Sequence, residues 1–158
     1  QAISSALPSS SVSITSAAMS APAEVEDGWV VMEVKGLLLD PASETPVLLL
    51  QSSDGALLLP IWIGQVEANS IAVALEGIRE PRPMTHDLIH GILVELAIEL
   101  VRIEVWALRE GTFIGRLRLR RGEERCEVDS RPSDAIALGV ATSVPIYVAE
   151  DVLEAAET

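Results

Sequence analysis

From Trp29 onward, apolar and polar positions follow two rhythms, and each change between them marks an element. Trp29 to Leu39 alternates with a period near two, the signature of a half-buried strand. Asp40 to Thr45, set between prolines, reads as a turn. Pro46 to Gln51 and Ala56 to Ile63 are two further apolar runs separated by the turn-forming SSDG, which predicts a hairpin. After Gly64 the rhythm lengthens. Apolar residues at 68, 71, 72, 75 and 78 predict an amphipathic helix over Gln65 to Ile78, ended by Gly77 and the prolines beyond it. A second helix begins at Thr85. Its apolar positions 88, 89, 92, 93, 96 and 100 form one stripe, predicting a main core helix that runs to about Leu100. Val101 to Leu108 and Thr112 to Arg120 then read as strands around the turn REG, with a third at Arg125 to Asp129. A helix from Pro132 to Thr142, a strand at Pro145 to Val148 and a terminal acidic helix complete the pattern.

Strands followed by a helix therefore occur twice, and SIAVAL (70–75) and AIALGV (135–140) hold comparable places in the two halves. The expected fold is α+β: a mixed or mostly antiparallel sheet with two or three packed helices, built by duplication of a strand-strand-helix unit. Residues 1–28 are rich in Ser and Ala, lack any basic residue and show no periodicity, so they read as a flexible leader or processing remnant. They have neither the positive start and apolar run of a secretory signal nor the arginines of a transit peptide. Residues 29–158 read as one domain, which a chain of 158 residues suits.

Composition adds three constraints. Hydrophobic residues make up 49% of the chain and aromatic ones only 3%, so the core is aliphatic. No apolar run approaches the roughly 18 residues a membrane helix requires. The excess therefore points to contacts between subunits and a homo-oligomer. The net charge of −13 argues against capture of nucleic acid by a broadly basic surface; any such chemistry must be local and cation-assisted. Arg116, Arg118 and Arg120 recur at strand period, with Arg121 and Arg125 close behind. A strand face paired with acids explains them better than a phosphate track does. Cys126 is the only cysteine, which fits a reducing, cytoplasmic setting, and its strand context reads as a buried structural thiol.

The candidate chemistry sits in PRPMTHDL (Pro81 to Leu88) and SRPSDAIAL (Ser130 to Leu138). Each places an Arg-Pro step before a helix and an acid in its first turn. A helix N-terminus offers unpaired N–H groups, arginine offers a fork for phosphate, and carboxylate or imidazole can hold a metal or move a proton. Capping explains the same residues, with Thr85 as an N-cap and Pro132 at the first helical position. Glu67 resembles Asp87 and Asp134 in position, so three helix starts each present an acid. Their convergence would suit an oxygen-ligated Mg²⁺ or Mn²⁺. HDLIH (86–90) is close to the zinc-peptidase helix, but Asp is shorter than the required Glu and no third histidine exists, leaving His90 a surface or interface residue.

LPIWIGQVEANSIAVAL, PRPMTHDL, GTFIGRL and SRPSDAIAL, in this order, resemble the bifunctional nuclease domain family over about Val31 to Glu154. The resemblance implies a compact α+β domain that cleaves both DNA and RNA, and its motif positions fall here on Glu67, Arg82, Thr85, His86, Asp87, Arg131, Ser133 and Asp134. On that basis His86, Asp87 and Asp134 are the expected catalytic residues and Arg82 and Arg131 the phosphate ligands. Glu67, Asp87 and Asp134 are the expected ligands of a Mg²⁺ or Mn²⁺ ion. The alternative is a non-catalytic oligomeric module that binds a protein or a small anionic ligand, which the acidic charge and single lysine favour.

Overall fold

The alternating segments pair into a seven-stranded mixed sheet. In the computed structural model, which describes residues 23–157, β1 (Trp29–Asp40), β2 (Thr45–Ser52) and β3 (Leu58–Trp62) form an antiparallel meander. Helices α1 (Gln65–Glu76) and α2 (Thr85–Glu95) follow. A second antiparallel meander comprises β4 (Glu99–Arg109), β5 (Thr112–Arg121) and β6 (Glu124–Ser130), and leads into α3 (Pro132–Thr142). The chain closes with β7 (Ile146–Ala149) and α4 (Glu150–Glu157). The strand order is β3-β2-β1-β7-β4-β5-β6; β7 runs antiparallel to β1 and parallel to β4, joining the two meanders. Each half thus has three strands before its helix, as the apolar runs predict, one more than the expected strand-strand-helix unit holds. Most of the expected leader lies outside the described residues.

Register explains the core. Leu37, Leu48 and Ile61 stand in one row across β1, β2 and β3, and Leu50 pairs with both Val34 and Leu59 in the next. All six are buried and face α1. In the other half Ile103 pairs with Leu117 and with Ile146, giving the sheet a continuous aliphatic face under α3. Helices α1 and α3 lie against one another, and α2 packs on α3. Gly139 brings α3 close to the sheet: a Cβ there would lie 2.7 Å from Ile103 Cγ1.

The structure corrects the reading of α2 in length and in burial. The helix ends at Glu95, because Leu96 caps it and Ala97 turns left-handed with φ of +56°. The N–H groups of Ala97 and Ile98 donate to Val94 and Leu93 carbonyls, closing the last turn. Leu100 belongs to β4 and pairs with Leu119. Only His86 and Leu93 of α2 are buried, whereas Leu88, Ile92 and Leu96 are 57%, 50% and 54% exposed. Cys126 is likewise exposed, because β6 is an edge strand whose residues lie open to solvent. Among the described residues, no helix is long and apolar enough to cross a membrane.

Candidate functional site

At the β6–α3 turn the chain must pass from strand to helix beside β5. Arg131 takes an extended N-cap conformation (φ −66°, ψ 144°) and Pro132 starts the helix, its fixed φ suited to that position. Gly115 of β5 makes room for this turn. A Cβ at residue 115 would lie 3.1 Å from both Pro132 Cα and the Ser130 carbonyl oxygen. The Arg131 guanidinium then folds over the first turn of α3, donating from Nε to Asp134 Oδ2 (2.9 Å) and from Nη2 to Oδ1 (3.1 Å). Its Nη1 lies 3.3 Å from Oε2 of Glu67 on α1. The Asp134 bonds, then the Asp134 charge and Glu67 against slight desolvation, raise the arginine's pKa further above its already high value.

Glu67 owes its position to Gly64, the N-cap of α1. A Cβ on Gly64 would lie 2.1 Å from Glu67 Oε1, so the carboxylate bends back over a helix start that has no side-chain cap. Glycine spacing before the helix is the sequence signal that locates this arrangement. Two of the three expected helix starts therefore meet, through an arginine rather than a metal ion.

The third has bonding partners of its own. Met84 is the N-cap of α2, not Thr85, and its backbone N–H donates to Asp87 Oδ2 at 2.9 Å. The other oxygen, Oδ1, lies 3.6 Å from Nε2 of buried His86. Arg82, just before α2, is exposed and makes no ion pair among the described residues. No hydrogen bond or ion pair among the described residues connects His86 and Asp87 with the Arg131 cluster. Nor, among the described residues, is any group of three or more His, Cys, Asp or Glu side chains arranged to hold a metal ion. Glu67, Asp87 and Asp134 do not fit a resident Mg²⁺ or Mn²⁺ in this arrangement, because the Arg131 guanidinium fills the place between two of them. Ser133 is buried and His90 exposed. A cavity of about 1140 Å³ lies at the other end of α1 and α3, among Met32, Val34, Leu75, Gly77, Val140 and Val144.

A second charged cluster occupies the sheet face turned away from α1 and α3. Glu104 of β4 has a fully buried side chain and accepts from three arginines. Arg116 Nε lies 2.5 Å from Oε1, while Arg102 Nε (2.6 Å) and Arg118 Nε (3.0 Å) share Oε2. Burial opposes the charge on Glu104, but the hydrogen bonds from Arg116 and Arg102 outweigh it and hold the carboxyl below its ordinary pKa of 4.5. Arg116 also pairs with Glu127, and Arg120 with Glu99. The rings of Tyr147 and Trp29 flank Arg102, their centroids 4.1 and 5.1 Å from its Cζ. The period-two arginines are thus largely paired with acids across the sheet.

Comparison with known proteins adds to this geometry. The sequence model of the bifunctional nuclease domain matches residues 48–158. An uncharacterized protein of Mycobacterium tuberculosis (strain H37Rv) is 42% identical over 122 residues, covering 77% of this chain and 73% of that protein. Bifunctional nuclease 1 of Oryza sativa subsp. indica is 26% identical over 140 residues, covering 78% of this chain and 42% of the rice protein. The bifunctional nuclease of Oryza minuta matches over the same shares at the same identity.

Proposed function

Because this chain belongs to the bifunctional nuclease domain family, we propose that it hydrolyses phosphodiester bonds of DNA and RNA with low sequence specificity. The observation that carries this reading is Arg131, clamped at a helix start by Asp134 and Glu67 yet with a side chain 63% exposed. A clamped fork loses little entropy when it meets phosphate, and the helix start adds N–H groups of favourable polarity. Arg82 supplies a second, unpaired guanidinium for the scissile phosphate. His86 accepts the proton of the attacking water, and Asp87 stabilises the imidazolium so formed. His86 is buried and Asp87 half exposed, so water reaches the pair from the Asp87 side.

The two carboxylates around Arg131 outnumber its charge, so a polyanion entering there needs accompanying cations. Any Mg²⁺ or Mn²⁺ dependence comes from ions that arrive with the substrate. The exposed α2 stripe would join copies of the chain into a homo-oligomer. The single, unbridged Cys126 suits a cytoplasmic setting.

The test is cleavage of labelled single-stranded DNA and RNA by the purified chain and by Arg131→Lys, Asp134→Ala and His86→Gln, each with EDTA, Mg²⁺ or Mn²⁺. Loss of the fork or the base should lower kcat/KM by about 10²- to 10⁴-fold while thermal unfolding shows the variants folded. Equal activity in every protein would identify a contaminant and reject the reading. A second reading, a non-catalytic module for a protein or small anionic ligand, is favoured by the pairing of Glu67 and Asp134 with Arg131. It predicts no Arg131-dependent cleavage in any ion.

A further inference from the structure

The arginine network is unbalanced at one place. Where the start of β4 meets the end of β5 and the start of β6, a pocket of about 180 Å³ is lined by Arg102, Arg118, Arg120 and Arg125. The single carboxylate in its wall is Glu26, which reaches Arg102 from the segment preceding β1. The Arg125 side chain makes no ion pair or hydrogen bond among the described residues, although its neighbours are paired. Arg102 and Arg118 are already paired with Glu104 and Arg120 with Glu99, so the excess at this concavity is Arg125, one unmatched guanidinium in a chain of net charge −13. The Glu26 carboxylate is an anion borrowed from outside the sheet. Arg102 is pre-set for it, held between the Tyr147 and Trp29 rings, so a phosphate group replacing Glu26 would meet an ordered donor.

We infer that this pocket binds a backbone phosphate of single-stranded nucleic acid, and that Glu26 occupies it in the free chain. The choice of polyanion rests on the nuclease reading; the anion pocket itself does not. Its place supports the choice. Arg125 stands near the start of edge strand β6 and Arg131 just beyond its end, six residues on, a span of about 20 Å in extended chain. Arg125 belongs to the face of the Glu104 cluster and Arg131 to the helix side, so a strand of nucleic acid that crosses the β6 edge would reach both, and the pocket would hold substrate flanking the bond at Arg131.

Binding is measured by fluorescence anisotropy of labelled oligo-dT and oligo-U over a range of salt, with the probes confirmed intact afterwards. Arg125→Ala should weaken binding about fivefold to tenfold and reduce the salt slope by about one. Glu26→Gln should strengthen binding by about threefold or more, because the internal competitor is gone. Arg125 is exposed and unpaired, so its loss leaves folding intact, and Glu26→Gln keeps its size. Wild-type affinity and salt slope in both variants, or no oligonucleotide binding by any of the proteins at low salt, would overturn the inference. The cleavage assay is separate: shifted binding with no Arg131-dependent cleavage keeps the pocket and rejects the nuclease. Arg131-dependent cleavage with unshifted binding does the reverse. Competition by inorganic phosphate at millimolar level that abolishes the Arg125 effect without oligonucleotide length mattering would assign the pocket to a free anion and overturn the nucleic-acid claim.

Discussion

Glu104 shows how one residue can order a surface. A carboxylate with no exposed side-chain area costs free energy unless its lone pairs are used, and here three guanidiniums use them. Removing it strands Arg102, Arg116 and Arg118 against one another. Glu104→Ala is therefore expected to cost about 3–5 kcal/mol in urea unfolding, the usual result of breaking a buried pair from one side. A loss below about 0.5 kcal/mol, the scale of an exposed pair, would refute the account. The sign of the pH effect follows from the lowered pKa. The stabilisation is complete above the ordinary carboxyl value of 4.5 and drains away as pH falls toward the lower folded value. Glu104→Gln should unfold more easily at pH 7 and lose that acid limb. The arginine row at 116, 118 and 120 is legible in the sequence as a strand face. Its partner is not, because the β4–β5 register shifts between Leu100 and Arg102 and again between Val105 and Ala107. Counting back from the hairpin turn cannot place Glu104 opposite Arg116 without the second of these shifts.

At the scale of elements, the strands and helices are legible because their periods differ, and the errors fall where a boundary lacks its usual residue. Helix α1 stops at Gly77, a glycine in the left-handed region, as its sequence announces. Helix α2 stops the same way with Ala97 in that region, at a cost that only the pairing of the following strand β4 with β5 can offset. Nothing in the local pattern marks it, so Leu96 and Leu100 extend the stripe falsely. The site was legible in part for a related reason. The sequence shows that Glu67, Asp87 and Asp134 each begin a helix, but which helix starts meet depends on the packing of α1 against α3. Two glycines of ordinary φ, one where α3 meets the sheet and one on open α2, give opposite predictions. Gly139→Ala would drive a methyl group into Ile103 and should destabilise by about 1–3 kcal/mol. Gly91→Ala, whose Cβ meets nothing within 4 Å in the middle of α2, should stabilise the isolated chain by roughly 0.5–1 kcal/mol. A urea midpoint that did not fall for Gly139→Ala would show that α3 does not seat on the sheet as described, and one that fell for Gly91→Ala would show that α2 is not open there.

For the whole molecule, the aliphatic excess that points to subunit contacts finds its place on α2. Leu88, Ile92 and Leu96 are spaced by four and centred on Ile92, so the stripe is its own complement under a twofold axis: the Leu88 end of one copy meets the Leu96 end of the other. Exposed Gly91 beside the stripe lets two backbones approach. We therefore expect an antiparallel α2 pairing in solution, and Ile92→Asp to halve the mass seen by light scattering without lowering thermal stability in dilute protein, since Ile92 is half exposed in the single chain. A monomeric wild type, or an Ile92→Asp chain of unchanged mass, would remove α2 as the interface. Charge provides an independent check. Two copies that each carry −13 repel one another, so added salt should tighten the apolar pairing by screening that repulsion. Nucleic acid on the arginine pocket should respond the opposite way, because its affinity comes largely from counterions released by phosphate contacts. One salt titration followed by both mass and oligonucleotide anisotropy thus separates the two surfaces: mass should rise where oligonucleotide binding falls. If both fell together, the self-association would be electrostatic and the α2 stripe would not be its seam.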